Sequence, residues 1–398
     1  MQVHGSHSLK QSYLWRDKAM RPAKVIIIVT LFMCSLFCTG KKTPSEEAEY
    51  PFKSEVIEGV RVITNPDFPR DGGHVLELEE ELSIGMIEGN ENYMLSWPYD
   101  LEVDDDGNIY VMDWREDYIR AYDKEGHYLC TVAQKGRGPG EFESPAHFKI
   151  SADGKLLLLG SRHHQLDVLD LKGNHLSGFK LTGYCSDLKL DEKNNIYYHK
   201  ISYETENVIG AEQRIEQTKT IYRVDPEGQN QFSFGNFRGD KMIYKKTSAT
   251  TSSSGSSPHA CTTAWTIDRQ GRLYAGYNEH YQMSVYDPDG RLIFKFGRES
   301  TPPKNPYFKE GSIFSEYWPA FYRDPFFDEE GNLWLRQYGE EDEQGVKYDI
   351  FSSEGIYLKQ VVVPHPIKEI KNGKIYSIIR DEEGYMFVKR FRIISDNN

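Results

Sequence analysis

Cysteine is scarce, with five in 398 residues. Cys34 and Cys38 lie near the N-terminus. Cys130, Cys185 and Cys261 form no CxxC and no His-rich spacing accompanies them. A structural zinc site is therefore not indicated, and buried thiols are the simplest reading of the last three. No apolar run approaches the about 20 residues that a membrane-spanning helix needs. After residue 50 no segment carries a 3.6-residue apolar period of helix length. The Gly-x-Ser-x-Gly elbow, the P-loop and His-Glu-x-x-His are absent, so the local signatures of serine hydrolases, P-loop nucleotide enzymes and zinc proteases are missing. Positive charge is short too: 48 Lys and Arg stand against 61 Asp and Glu, a net −13. Such a surface repels phosphate backbones and excludes nucleic acid as the expected partner.

What the chain does have is a repeat. Residues 101–132 read LEVDDDGNIYVMDWREDYIRAYDKEGHYLCTV. Four β-rich runs are separated by an acidic-Gly turn, a short polar loop and a second acidic-Gly turn. The pattern returns with Asp153-Gly154 and Asp170-Leu171-Lys172-Gly173, and with Asp268-Arg269-Gln270-Gly271 and Asp287-Pro288-Asp289-Gly290. In these three copies the two glycines are 19 residues apart. Another copy uses Asn194 where its relatives use Gly, and Asn tolerates positive φ best after glycine. Two later copies carry Asp328–Gly331 with Ser353–Gly355, and Asn372-Gly373 with Asp381–Gly384. The runs are short and rich in β-branched and aromatic residues. A four-stranded meander cannot bury both faces alone, so the copies must stack. Radial stacking predicts an all-β, six-bladed β-propeller of four-stranded antiparallel blades.

The expected blades lie near 99–132, 148–181, 186–235, 265–297, 322–363 and 369–393, within a propeller spanning 56–393. Blade six lacks an outer strand, which Val56–Ile63 or Val75–Leu82 is expected to supply. The Ser/Thr-rich tract 246–264 reads as a surface loop between blades three and four. Residues 299–319 are a second long insertion.

The first 37 residues hold Lys10, Arg16, Lys18, Arg21 and Lys24 against Asp17, so the remainder carries −17. Met20–Lys24 is a short basic stretch, and Val25–Phe37 is an apolar run of 13 residues. That length suits a secretory signal. Cys38-Thr39-Gly40 and a polar linker to residue 55 follow. The arrangement resembles a bacterial lipoprotein signal, with Cys38 as the lipidated residue. The expectation is a cell-envelope protein held to the membrane by a lipid anchor, on either the periplasmic or the surface side.

Gly136-Arg137-Gly138-Pro139-Gly140-Glu141-Phe142-Glu143-Ser144-Pro145, followed by Asp153-Gly154, resembles the linker and first strand of NHL-type repeats. Asp104–Asp123 is similar to the strand-turn-strand core of the same repeat. With the lipoprotein-like start, residues 95–393 resemble the six-bladed β-propeller lipoproteins of Bacteroidetes. The resemblance implies the fold. It does not choose an activity, because NHL-type propellers include binding scaffolds, an amidating lyase and relatives of lactonases.

Propeller ligands sit on the face carrying the segments that lead into the inner strands and those that join second to third strands. Trp97, Tyr99, His147, Tyr184 and Trp318 fall in the first group; Trp114, Arg115, Arg162, His163, Tyr277 and Arg336 fall in the second. Aromatic rings among polar groups suit a sugar ring or a peptide side chain. The plainer alternative for Trp97 and Trp318 is packing between blades. His147, His163, His164, His199 and His280 could converge near the axis, where the resemblance to the lyases would imply a metal. They occupy no fixed repeat position, and ordinary core or surface histidine is the better reading. Glu102-x-Asp104-x-Asp106-Gly107 has calcium-loop spacing, but between strands rather than helices. No metal or cofactor is expected. The predicted role is recognition of a glycan, a peptide or an envelope protein, with no identified catalytic residue. The alternative is a metal-dependent lyase or lactonase-like enzyme with an axial site.

Overall fold

The computed structural model describes residues 50–394 apart from 137, 139, 143–146, 161–163, 204–209, 211, 249, 257–258, 310–314 and 340–344. Six sheets surround one axis. Their inner strands are Pro98–Val103, His147–Ile150, Cys185–Leu190, Thr263–Ile267, Phe326–Phe327 and Glu369–Lys371. From each, the sheet runs outward in sequence order through antiparallel neighbours. Every blade but the last takes its first four strands from one continuous segment. Among the described residues the helical content is a single turn, Glu91–Tyr93.

Burial follows from the ring. A second strand such as Ile109–Asp113 is covered on both faces because a blade stands on either side. An outer strand such as His175–Lys180 is mostly exposed. The buried apolar side chains fall into six clusters, one at each interface between neighbouring blades. Tyr274, Phe296, Phe351 and Tyr357 fill the gap between blades four and five. Each such side chain contributes about 1.5–3 kcal/mol by leaving water.

The turns explain the repeated aspartates. Asp104 accepts from the backbone N–H of Asp106 (3.0 Å) and Asn108 (2.8 Å), from Asn108 Nδ2 (2.9 Å) and from the Tyr110 hydroxyl (3.2 Å). Asp191 repeats this with Lys193, Asn195 and Tyr197. Asp328 repeats it with Glu330, Asn332 and the indole of Trp334. The unit is therefore Asp, then Asn four residues on, then Tyr or Trp six residues on. Arg272 takes the Asn place beside Asp268. Asn194 adopts φ +61° where Gly107 has +85°. Its side chain also accepts from Ala152 N–H (2.9 Å) and donates to Asp153 (3.2 Å), tying blade three to blade two as glycine could not.

Four strands precede blade one: β1 (Lys53–Ile57), β2 (Val60–Asn65), β3 (Gly73–Val75) and β4 (Leu78–Ile84). Val56–Ile63 is thus not one strand. It is the β1–β2 hairpin, broken at Glu58-Gly59, where both residues have positive φ. The linker expected to reach residue 55 ends earlier, since β1 begins at Lys53. β2 runs parallel to Leu292–Arg298 of blade four, and β3 runs parallel to Tyr357–Val363 of blade five. β4 pairs antiparallel with Met386–Ile393 and is the outer strand of blade six. The N-terminal segment is therefore a belt across three consecutive blades. Asn65, fully buried, donates to the carbonyls of Gly297 (2.8 Å) and Gly355 (2.9 Å) and accepts from Tyr357 N–H (3.0 Å). One side chain fastens blade four, blade five and the belt.

The Ser/Thr-rich tract is not wholly a loop. Ser252–Ser256 pairs with Phe232–Lys246 as a fifth strand of blade three. Its residues, four serines and a glycine, carry little strand preference of their own; the long hairpin Glu212–Lys246 offers unpaired edge backbone to receive them. Blade three consequently extends well past residue 235.

Candidate functional site

The segments leading into the inner strands surround an axial cavity of about 750 Å³. Its wall is charged. Asp100 and His147 come from blades one and two, Asp187 and Lys189 from blade three, Arg323 and Asp324 from the approach to blade five, and Lys368 and Glu369 from blade six. Blade three adds His199, Lys219 and Asp240 from its second, third and fourth strands. One side is aromatic: Tyr322 and Tyr338 lie 4.8 Å apart, and Trp318 stacks on Tyr338 at 5.7 Å.

Inner strands hold charge because alternate residues face the axis. Glu102, Lys149, Lys189 and Glu369 occupy equivalent places; the first three are flanked by apolar neighbours such as Leu101 and Val103 or Phe148 and Ile150, and Glu369 by Lys368 and Ile370. Lys149 forms an ion pair with Glu102. Burial alone would lower the Lys149 ammonium, but Glu102, Asp100 and Glu369 raise it above its usual value. Burial and Glu102 push the Glu369 carboxyl up to about 8, with Lys149 opposing. Two carboxylates thus compete for one half-buried lysine, which favours the protonated form of Glu369 at neutral pH.

Asp187 sits at a bulge of its strand with φ +60° and accepts from the N–H of Leu188 (2.9 Å). Burial raises its carboxyl, but Lys189, His147 and His199 outweigh it and hold the group well below the carboxylate range. His199 Nδ1 lies 3.0 Å from the indole Nε1 of Trp265. An indole can only donate, so Nδ1 accepts and the ring proton sits on Nε2. Burial and the Lys219 charge lower the imidazolium to about 3, so the ring is neutral. Lys219 is 7% exposed and donates to the Thr263 carbonyl (3.1 Å). Its ammonium is lowered to about 8 by burial, which Asp240 opposes.

Lys219 and Asp240 meet through a β-bulge. Glu216 pairs with Lys241 and Thr218 with Arg238, so Gly239 and Asp240 stand opposite Gln217 alone. A Cβ on Gly239 would lie 2.7 Å from the Gln217 carbonyl oxygen, so the bulge needs glycine there. It leaves Lys219 Nζ 4.0 Å from one Asp240 oxygen, while Arg323 reaches the other at 3.3 Å.

The residues expected from sequence divide into groups. Tyr99 and His147 line the cavity, with rings 6.1 Å apart. Trp318 stands behind the aromatic wall, against His259 (4.8 Å) and Tyr338. Arg336 lies over the Tyr322 ring at 4.1 Å. Tyr277 lies under the Arg238 guanidinium at 3.9 Å. Trp97, 42% exposed, is held between Arg115 and Arg380 at 5.7 and 5.9 Å, on an outer rim away from the cavity. Trp114 and Tyr184 are exposed outside the cavity lining as well. Arg162, His163 and Cys38 lie outside the described residues. Lys149, Asp187, Lys219, Asp240 and Glu369 escaped sequence reasoning. For Lys149 a signal existed, a charge between the apolar Phe148 and Ile150 on an inner strand. For Lys219 and Asp240 none did. Among the described residues no three His, Cys, Asp or Glu side chains gather as a metal site, and the Nδ1 of His199 is already occupied by Trp265.

Residues 80–252 match the DUF5128 family, described as a 6-bladed beta-propeller. The chain is a six-bladed β-propeller. No curated protein matches it. Among solved structures it is similar to a candidate exported protein from Bacteroides fragilis (10% identity, 83% of this chain and 98% of that one, TM-score 0.49). A DUF4221 family member from Bacteroides vulgatus aligns at 10% identity over 81% and 99% of the two chains, with TM-score 0.48. Virginiamycin B lyase from Staphylococcus aureus aligns at 12% identity over 80% and 100%, with TM-score 0.43. At such identities these likenesses say nothing of activity.

Proposed function

We propose that this propeller is an exported, lipid-anchored recognition module whose ligand enters the axial cavity. The observation that carries the reading is the cavity lining. It breaks the sixfold pattern, gathering charged groups, most of them half-buried and Lys219 fully so, against an aromatic wall of Tyr322 and Tyr338. Charged groups kept in a pocket without full mutual pairing suit a polar ligand, and rings beside them suit a sugar or a peptide side chain. The rigid ring holds the groups in place, so binding needs little ordering of the protein. The anchor is assigned to Cys38 on the basic, apolar and Cys-Thr-Gly succession of the N-terminus.

Glycan and peptide arrays probed with the full-length protein test the site. Arg323→Glu, which reverses a cavity charge, is expected to weaken every specific interaction at least about tenfold, equivalent to about 1.4 kcal/mol. Trp97→Ala is expected to leave them unchanged. The opposite result moves the site to the outer rim. Fractionation tests the anchor: Cys38→Ala should release the protein from membranes.

A further inference from the structure

Among the cations lining the cavity, Lys219 has the least compensated charge. Lys149 lies against Glu102. Lys189 has Asp187 at 3.4 Å and the Trp265 ring at 5.3 Å. Arg323 reaches Asp240 at 3.3 Å, and Lys368 is exposed to water. Lys219 is buried, with its hydrogen bond going to a neutral carbonyl and its nearest carboxylate oxygen 4.0 Å away. That oxygen, Asp240 Oδ1, is buried and has no hydrogen-bond partner.

We propose that Lys219 is a nucleophilic amine that captures a small aldehyde or ketone in the axial cavity as an imine. The inference rests on the cavity being the ligand site. The neutral Nζ keeps one N–H on the Thr263 carbonyl and turns its lone pair to the carbonyl carbon of the ligand. The N–C bond forms as the C=O π pair moves to oxygen. Both Nζ protons then leave with that oxygen as water, and a C=N bond remains. His199 lines the same cavity, and its proton on Nε2 is a donor for the oxygen as it gains charge. The free lone pairs of Asp240 Oδ1 are an acceptor for a proton in transit. The charged groups facing Lys219 are Asp240 from the adjoining strand, Arg323 from the approach to blade five and Asp187 from the inner strand of its own blade. Burial and Arg323 favour the neutral amine; the two carboxylates favour the charged one. With its pKa lowered to about 8, a useful fraction is neutral at pH 7.

The test is reductive trapping on the intact protein, using glyoxylate with cyanoborohydride and site-resolved mass spectrometry. At pH 7 an exposed lysine of pKa about 10.4 is almost wholly protonated. Lys219 is expected to be labelled at least about tenfold faster than exposed Lys124 and Lys172, its rate levelling off above pH 8. Asp240→Asn, which removes the main stabiliser of the charged form, should speed labelling at pH 7 severalfold. Labelling of Lys219 no faster than Lys124 or Lys172 in both proteins overturns the proposal. The array experiment separates the two readings: Lys219→Met that still binds its array partners, in a protein where Lys219 resists trapping, removes covalent capture and leaves recognition standing. Trapping in a protein that binds nothing on the arrays does the reverse.

Discussion

The two ends of the ring are built on opposite rules. At the turn end, the same aspartate recurs blade after blade, buried or half-buried, and supplied with up to four donors from its own turn. Asp104, Asp191 and Asp328 do one job three times. At the cavity end, no charge repeats around the full ring. Glu102, Lys149, Lys189, Thr266, Phe326 and Glu369 stand at equivalent positions with six different surroundings: Lys149 pairs with Glu102 across two blades, whereas Lys189 pairs with Asp187 of its own strand. Repetition marks what every blade needs to fold. Departure from it marks what one molecule needs to do. Locally satisfied carboxylates stabilise, whereas charges held in a cavity cost stability that a ligand can recover.

Substitution at the two ends should therefore move stability in opposite directions. The largest effect is expected for Asp104→Ala. It strips acceptors from two backbone N–H groups, one amide and one hydroxyl, and should lower stability by about 3 kcal/mol in chemical denaturation. A cost below about 1 kcal/mol would erase the distinction between the ends.

Glu369→Gln should act the other way and depend on pH. The folded-state carboxyl is raised from 4.5 to about 8, so its contribution is fully present below pH 4.5 and is lost as pH rises towards 8. The variant removes that loss. It should match the natural protein near pH 4 and exceed it by roughly 1–2 kcal/mol at pH 9, an amount kept small because the side chain is only partly buried. Parallel pH–stability curves for the two proteins would show that Glu369 is not a strained cavity group.

The smallest effect sharpens the comparison within the turn end itself. Glu382 is exposed in the last turn, whereas the neighbouring Asp381 accepts from Tyr385 N–H (2.8 Å). Glu382→Lys should change stability by less than about 0.5 kcal/mol, and Asp381→Ala should cost clearly more. Equal costs would mean that acidity of the turns, not their hydrogen bonding, matters.

Legibility in the sequence follows the same division. The strands and turns could be read because their causes are local: alternation over five residues, an aspartate that bonds to the next few N–H groups, and a glycine or asparagine at positive φ. The Ser/Thr-rich tract misled because its strand character comes from an edge offered by residues 232–246, not from its own composition. The belt was half visible. A missing strand could be counted in blade six, but the partners of β2 and β3 in blades four and five are more than 200 residues away. Trp97 and Trp318 attracted attention as large rings, yet one is clasped by two arginines on a rim and the other props a wall.

The amino-acid order alone dictates the unit, its number of copies and the turn chemistry, because each depends on neighbours within a few residues. It also dictates the acidic surface, which is simple composition. Only the tertiary structure decides which charges become a site. Closing the ring brings Glu102, Lys149 and Glu369 from three blades into one low-dielectric space. A bulge at Gly239 turns Asp240 towards Lys219, and an indole from the next blade chooses the tautomer of His199. Those effects act through burial and distances of a few ångströms between residues far apart in the chain, which no local pattern encodes.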